Sequence, residues 1–144
     1  LRNRGFETTF DRAFGDVIRR CADVRQRPEG TWITPQMAAA YQRLHAAGFA
    51  HSVETWLDGQ LVGGLYGVAL GRVFFGESMF SRERDASKVA VAALVQHCRE
   101  IGVELLDVQV LNEHTESLGA VQIGRDEYLG RLAAAVRGRV DWQR

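Results

Sequence analysis

Residues 105–115 (LLDVQVLNEHT) contain the side chains best suited to chemistry. Side chains alternate along a strand, so Asp107 and Gln109 would share one face while Val108 and Val110 share the other. Burying a carboxylate or an amide is costly unless it is hydrogen-bonded, so this pair needs an explanation. One explanation is a functional site. The other, which the spacing alone slightly favours, is that both satisfy loop backbone groups or cap a helix.

A second candidate is the segment FFGESMF, residues Phe74–Phe80. Gly76 permits close approach by another backbone or a ligand. Some of the aromatic residues of this segment are expected to belong to the hydrophobic core. Glu77 is harder to explain as core, because a lone carboxylate in apolar surroundings requires a cationic partner or a ligand amine.

Two aromatic residues and the histidines are weaker candidates. Trp32 follows a loop that contains Gly30 and could stack on a base or sugar, with Tyr41 as its companion candidate. A single aromatic residue is nevertheless more often part of the packing. The histidines show no metal-ligand spacing and accompany no recognisable nucleophile turn: His45, His51, His97 and His114.

Composition restricts the class of protein. The chain has 144 residues, 46% hydrophobic and 25% charged, which predicts one globular domain. No apolar stretch is long enough to cross a bilayer, so we expect a cytoplasmic protein with no membrane partner. Lys plus Arg and Asp plus Glu both number 18, which argues against gripping long duplex nucleic acid but permits contact with one RNA end. Cys21 and Cys98 are expected to be small buried hydrophobes.

Hydrophobic periodicity predicts the elements that position these residues. Predicted helices cover Asp11–Val24, Pro35–Ala47 (with Thr34 as N-cap), Arg82–Ile101 and Asp126–Val136. Predicted strands cover His51–Leu57, Gln60–Ala69, Val73–Phe80 and Glu104–Leu111, with a hairpin turn at Asp58-Gly59. This order predicts an α+β domain with a central mixed, mainly antiparallel sheet flanked by helices.

Five long segments resemble the leucyl/phenylalanyl-tRNA–protein transferases, a family of aminoacyltransferases with an acetyltransferase (GNAT)-like catalytic domain. They are EGTWITPQM (Glu29–Met37), AYQRLHAAGFAHSVETW (Ala40–Trp56), LVGGLYGVALG (Leu61–Gly71), FFGESMFSRERDASKVA (Phe74–Ala90) and DVQVLNEHTESLGA (Asp107–Ala120). Family members also carry an N-terminal segment with a GGDLS-like loop and an FPWY-like stretch. This N-terminal part is not found in the sequence, and we expect residues 1–144 to form a single aminoacyltransferase domain.

The resemblance implies a reaction of the bacterial N-degron pathway. Leucine, phenylalanine or, less readily, methionine would move from the 3′ end of its tRNA to a protein beginning with arginine or lysine. It implies no cofactor, no acyl-CoA and no metal, and we expect a monomer.

The resemblance also implies roles for individual residues. Asp107 and Gln109 match the catalytic pair, and Asn112 matches a nearby position that orients the donor. The remaining matches are substrate-binding positions: a hydrophobic pocket for the donor side chain (Leu65, Phe74, Met79 and Leu94), the donor's aminoacyl end (Glu77 and Ser78) and the terminal adenosine (Trp32 and Tyr41).

Two other functions remain open. An acyl-CoA-dependent N-acyltransferase of similar fold would need a pyrophosphate-binding loop, usually glycine-rich, before the long helix. The segment SRERDASK at that position is charged and contains no glycine. The other alternative is a noncatalytic module that binds tRNA ends or N-degrons.

Overall fold

The computed structural model describes residues 5–23, 33–108, 117 and 119–143. Within these ranges the chain forms a sheet of five strands: β1 (Glu7–Phe10), β2 (Ala50–Leu57), β3 (Gln60–Leu70), β4 (Val73–Ser81) and β5 (Leu105–Asp107). The helices contained in full are α1 (Phe14–Ala22), α2 (Pro35–Ala46), α3 (Ala86–Ile101) and α4 (Arg125–Ala135). No helix in the described part of the chain is long and apolar enough to span a membrane.

The sheet is mixed and mainly antiparallel, as the sequence predicts. Its strands are ordered β1-β2-β3-β4-β5. Neighbouring strands from β1 to β4 pair antiparallel, and β5 pairs parallel with β4 after the crossover through α3. The hairpin turn at Asp58 and Gly59 uses positive φ values of 51° and 78°, which explains the Asp-Gly pair there.

Helices cover the two faces of the sheet. The face toward α1 and α2 contains one buried cluster, which includes Phe14, Ile18 and Tyr66. The face toward α3 contains another, which includes Leu65 and Leu94. Leu65 and Tyr66 are consecutive on β3, so strand alternation sends their side chains to opposite layers. Both cysteines are free and buried, as expected.

A glycine pair on β3 lets the helices of both layers approach the sheet. A Cβ atom at Gly63 would lie 2.6 Å from the Cβ of Ala86 at the start of α3. A Cβ atom at Gly64 would lie 2.7 Å from the backbone oxygen of Val53 and 3.3 Å from Val17 of α1. Any larger side chain at these positions would push a helix or a strand away.

The sequence analysis did not predict the edge strand β1 at residues 7–10, and the start of the helix predicted at Asp11 was wrong. Asp11 has a φ of 58°, which breaks the chain direction, and α1 begins only at Phe14. Phe10 therefore packs in the α3 layer against His97, with ring centroids 4.6 Å apart, and not on the face of α1. The pairing of Glu7 with Trp56 holds the strand to β2.

The predicted ends of two further elements were also wrong. Helix α3 begins at Ala86 and not at Arg82, because Asp85 adopts a left-handed φ of 70°. Strand β5 is shorter than the Glu104–Leu111 prediction and covers three residues, while residues 109–111 lie outside the described ranges. Helix α2 matches its prediction, with the Thr34 hydroxyl accepting a hydrogen bond from the Met37 N–H at 3.1 Å.

Candidate active site

A groove of about 960 Å³ lies between α3, β5 and α4. The β4–β5 pairing ends at Phe75 opposite Asp107, whereas β4 continues to Ser81. Within the described residues, the pairing of these two strands thus ends at Asp107. Apolar residues of α3, Val91 and Val95, line one wall of the groove.

The structure brings two predicted site residues, Asp107 and Met79, to the lining of this groove. Asp107 is partly exposed, and its backbone is fixed by pairing with β4. Its Oδ2 accepts a hydrogen bond from the Tyr128 hydroxyl at 2.6 Å. That hydrogen bond is the main cause of a raised pKa of Tyr128, with burial and the negative charge of Asp107 adding to it.

The four residues predicted to bind the donor side chain belong to one apolar cluster in the α3 layer. Leu65 of β3 is directly opposite Met79 of β4, and Phe74 and Leu94 join them from β4 and α3. Leu65, Phe74 and Leu94 are at most 3% exposed, whereas Met79 is only partly buried and lies on the groove. Of these four residues, Met79 is therefore the one through which an apolar ligand in the groove could contact the cluster.

Glu77 and Tyr41 form a second polar contact. The Tyr41 hydroxyl donates to Glu77 Oε1 at 2.6 Å. Gly76 pairs with Gly67 while Ser78 pairs with Tyr66, so Glu77 is the extra residue of a β-bulge, a feature that changes the direction of a side chain. Burial and, to a lesser degree, the hydrogen bond to Glu77 raise the pKa of Tyr41 well above its ordinary value. Neither Tyr41 nor Glu77 is among the described residues that line the groove.

Comparison with known proteins establishes the family. The sequence model described as leucyl/phenylalanyl-tRNA protein transferase matches residues 1–133. The chain belongs to this family.

Individual relatives agree with the family match. The chain is 59% identical over 134 residues to the leucyl/phenylalanyl-tRNA–protein transferase of Syntrophobacter fumaroxidans, covering 92% of this chain and 57% of that protein. It is 49% identical over 139 residues to the transferase of Pelodictyon phaeoclathratiforme, covering 96% of this chain and 72% of that protein. The chain thus spans little more than half the length of the Syntrophobacter relative.

Solved structures identify the fold as GNAT-like. The ribosomal-protein-alanine N-acetyltransferase of Brucella melitensis superimposes with a TM-score of 0.59 over 83% of this chain and 93% of that one. The two sequences are only 14% identical, so this likeness concerns the fold alone.

Three of the predicted site residues, Trp32, Gln109 and Asn112, lie outside the described residues. Ser78 is partly buried on β4 opposite Tyr66. The described part of the candidate site therefore consists of Asp107, the apolar cluster that includes Met79, and the contact between Tyr41 and Glu77.

Sequence reasoning missed the residues that α4 brings to the groove. Tyr128 follows Asp107 by 21 residues in the chain, yet it contacts Asp107 directly. Arg125 and Arg131 of the same helix also line the groove. No local pattern marks these residues, because their position on the groove depends on where the helix packs and not on their spacing.

Proposed function

We propose that this chain is an aminoacyltransferase that moves leucine or phenylalanine from aminoacyl-tRNA to the N-terminal amine of a protein. The observation that carries the proposal is the position of Asp107 on the groove that Met79 also lines. A carboxylate beside an apolar surface is suited to a donor with an apolar side chain and a nucleophile that must lose a proton. Membership in the family supports the same reaction.

The reaction is the aminolysis of an ester. The α-amine of the acceptor attacks the carbonyl carbon of the aminoacyl ester, a peptide bond forms, and the bond to the ribose 3′ oxygen breaks. The amine nitrogen loses one proton, and the released 3′ oxygen gains one. An α-amine has an ordinary pKa of about 8, so positioning the two reactants contributes much of the rate and no strong base is needed.

The proposal gives Asp107 and Gln109 different roles. Gln109, which matches one member of the family's catalytic pair, accepts a hydrogen bond from the attacking amine through its amide oxygen. Asp107 orients that amide or accepts the proton. The apolar cluster formed by Leu65, Phe74, Met79 and Leu94 selects the donor side chain, while Glu77, Ser78, Asn112, Trp32 and Tyr41 contact the donor's aminoacyl end and adenosine.

The start of α3 favours this function over acyl-CoA transfer. An acyl-CoA pyrophosphate would need free backbone N–H groups at this helix end. The Ala86 N–H instead donates to the Glu83 carbonyl at 3.1 Å, and the Ser87 N–H donates to the Ser81 hydroxyl at 3.2 Å. Two backbone donors at this helix end are therefore already engaged within the turn.

The proposal extends to partners and location. The acceptors are proteins that begin with arginine or lysine, methionine is a weaker donor, and the enzyme acts as a cytoplasmic monomer. Gel filtration tests the monomer, and competition between Arg-, Lys- and Ala-initiated peptides tests the acceptor class.

The decisive assay incubates the purified chain with radiolabelled leucyl-tRNA and a peptide beginning with arginine, with an Ala-initiated peptide as control. We expect labelling of the arginine peptide only. If the chain labels neither peptide, it is assayed again after fusion to the portion of the Syntrophobacter relative that lies outside the matched region. Absence of transfer by both proteins would overturn the proposal.

Replacing Asp107 tests its role within the same assay. We expect Asp107→Ala to lower transfer by about a hundredfold or more while donor binding survives, because the carboxylate acts on the attacking amine or its orienting amide. Asp16→Ala, an exposed carboxylate of α1, is the matched control and should transfer normally. Loss of donor affinity or of folding in Asp107→Ala would make Asp107 a structural residue instead.

A further inference from the structure

Tyr128 is fixed on α4 so that its hydroxyl meets Asp107. Its backbone N–H donates to the Gly124 carbonyl at 2.9 Å in the first turn of the helix. Its hydroxyl donates to Asp107 Oδ2 at 2.6 Å, a short bond of the kind that carboxylates form with good donors. Both residues line the groove. The contact joins two elements that are separate in the chain.

Tyr128 restrains the Asp107 side chain from an element other than its own strand. Strand β5 has three residues, Asp107 is the last, and its pairing with β4 ends at the same position. A carboxylate at the end of a strand can rotate about both side-chain bonds. A hydroxyl held by a neighbouring helix restricts that rotation, because the hydrogen bond to Oδ2 is kept only in some orientations of the carboxylate.

We infer that Tyr128 is a positioning residue that holds the Asp107 carboxylate in the orientation needed for aminoacyl transfer. The inference rests on the proposed function, since it assumes that Asp107 acts on the attacking amine. Tyr128 itself does not accept the proton. Its pKa is raised from an ordinary value that already lies far above neutral pH, so the phenol remains protonated and donates.

The kinetic test uses Tyr128→Phe, which removes only the hydroxyl. We expect kcat to fall about tenfold or more, because a hydrogen bond to a charged group is lost, while KM for both substrates stays within about twofold. Leu129→Ala, an exposed change on the same helix, is the control and should leave kcat unchanged. An active chain whose Tyr128→Phe variant keeps its kcat would overturn the inference.

A double-mutant comparison separates positioning from a general effect on α4. If Tyr128 acts through Asp107, Tyr128→Phe should have no further effect on kcat in a chain that already carries Asp107→Ala. If the two losses multiply, Tyr128 acts independently of Asp107 and the inference fails. Thermal unfolding of each variant shows whether the fold is retained.

A third measurement does not depend on activity. In a chain with ¹³Cζ-labelled tyrosine, the Tyr128 resonance is assigned with Tyr128→Phe and titrated by NMR. We expect the Tyr128 pKa to fall when Asp107 is replaced by alanine, since the Asp107 hydrogen bond is the main cause of its elevation. An unchanged pKa would overturn the inference even in an inactive chain. Absence of transfer by the unaltered chain would instead count against the proposed function.

Discussion

At the scale of single residues, two carboxylates of the chain, Glu54 and Asp107, have different surroundings. Glu54 is completely buried and accepts hydrogen bonds from the Thr9 hydroxyl, the Ser52 hydroxyl and the Arg12 backbone N–H. These donors come from β1, β2 and the turn after β1, so Glu54 stabilises the edge of the sheet. Asp107 is instead partly exposed and lines the groove.

Cys98 should be unreactive in the folded chain. Cys98 is only 5% exposed, and this burial raises the pKa of its thiol to about 12. Only the thiolate reacts, and its fraction at pH 8 is about 10⁻⁴ for such a pKa. We expect alkylation of native Cys98 by iodoacetamide at pH 8 to be at least about a hundredfold slower than in urea.

Peptide mass spectrometry after timed labelling gives both rates. Cys21, which is completely buried, serves as an internal comparison and should be protected as well. Equal labelling rates for Cys98 in the native and unfolded chains would contradict the buried position of its thiol.

At the scale of elements, strand β3 determines how closely the layers pack. Gly63 admits α3 on one face, and Gly64 admits α1 on the other. A few residues along, the bulge between β3 and β4 makes Glu77 the extra residue and so directs it toward Tyr41 of α2. The position of the candidate site thus depends on local irregularities within otherwise regular strands.

Adding a methyl group to two glycines should have opposite effects on stability. Gly63→Ala should lower the free energy of unfolding by about 1–3 kcal/mol, because its Cβ would collide with Ala86. Gly130→Ala in α4 has open space around it and should raise that free energy by about 0.5–1 kcal/mol, through helix propensity. Urea unfolding followed by circular dichroism measures both. A Gly63→Ala chain as stable as the unaltered one would disprove close packing of α3 on β3.

At the scale of the whole molecule, Trp142 joins the last described residues to the centre of the fold. Its ring stacks on the rings of His51 and Phe74, with centroids 4.2 Å and 5.1 Å away. It meets the His97 ring edge-on, with a centroid distance of 4.9 Å. The His97 ring nitrogen Nε2 also lies 2.8 Å from the Trp142 backbone oxygen. Trp142 lies beyond the residues that the family model matches, yet it packs in the same core as the predicted donor pocket.

Removing this ring should destabilise the whole domain. We expect Trp142→Ala to lower the free energy of unfolding by about 3–5 kcal/mol, the cost of emptying a large aromatic site in a core. Leu129→Ala, at an exposed position of α4, should change it by no more than about 0.5 kcal/mol. Chemical denaturation of the two variants in parallel checks the difference. Similar stabilities would show that the Trp142 contacts contribute little in solution.

Much of the fold was predictable because local signals and burial agreed. Thr34 followed by Pro35 predicted the start of α2, and Asp58-Gly59 predicted the hairpin between β2 and β3. Strand β1 was missed because Phe10 also fits the apolar spacing of the helix that follows. Pairing with β2 and the left-handed Asp11 decide that it belongs to the sheet.

The sequence by itself determined most of the elements, the resemblance to the family and the candidacy of Asp107, since these depend on residue type and on spacing within short segments. Only the tertiary structure placed Asp107 with Met79 on one groove and brought the Tyr128 hydroxyl to its carboxylate. The physical reason is that a hydrogen bond between distant residues depends on how β5 and α4 pack together. That packing is fixed by contacts throughout the core and leaves no periodic pattern in the chain.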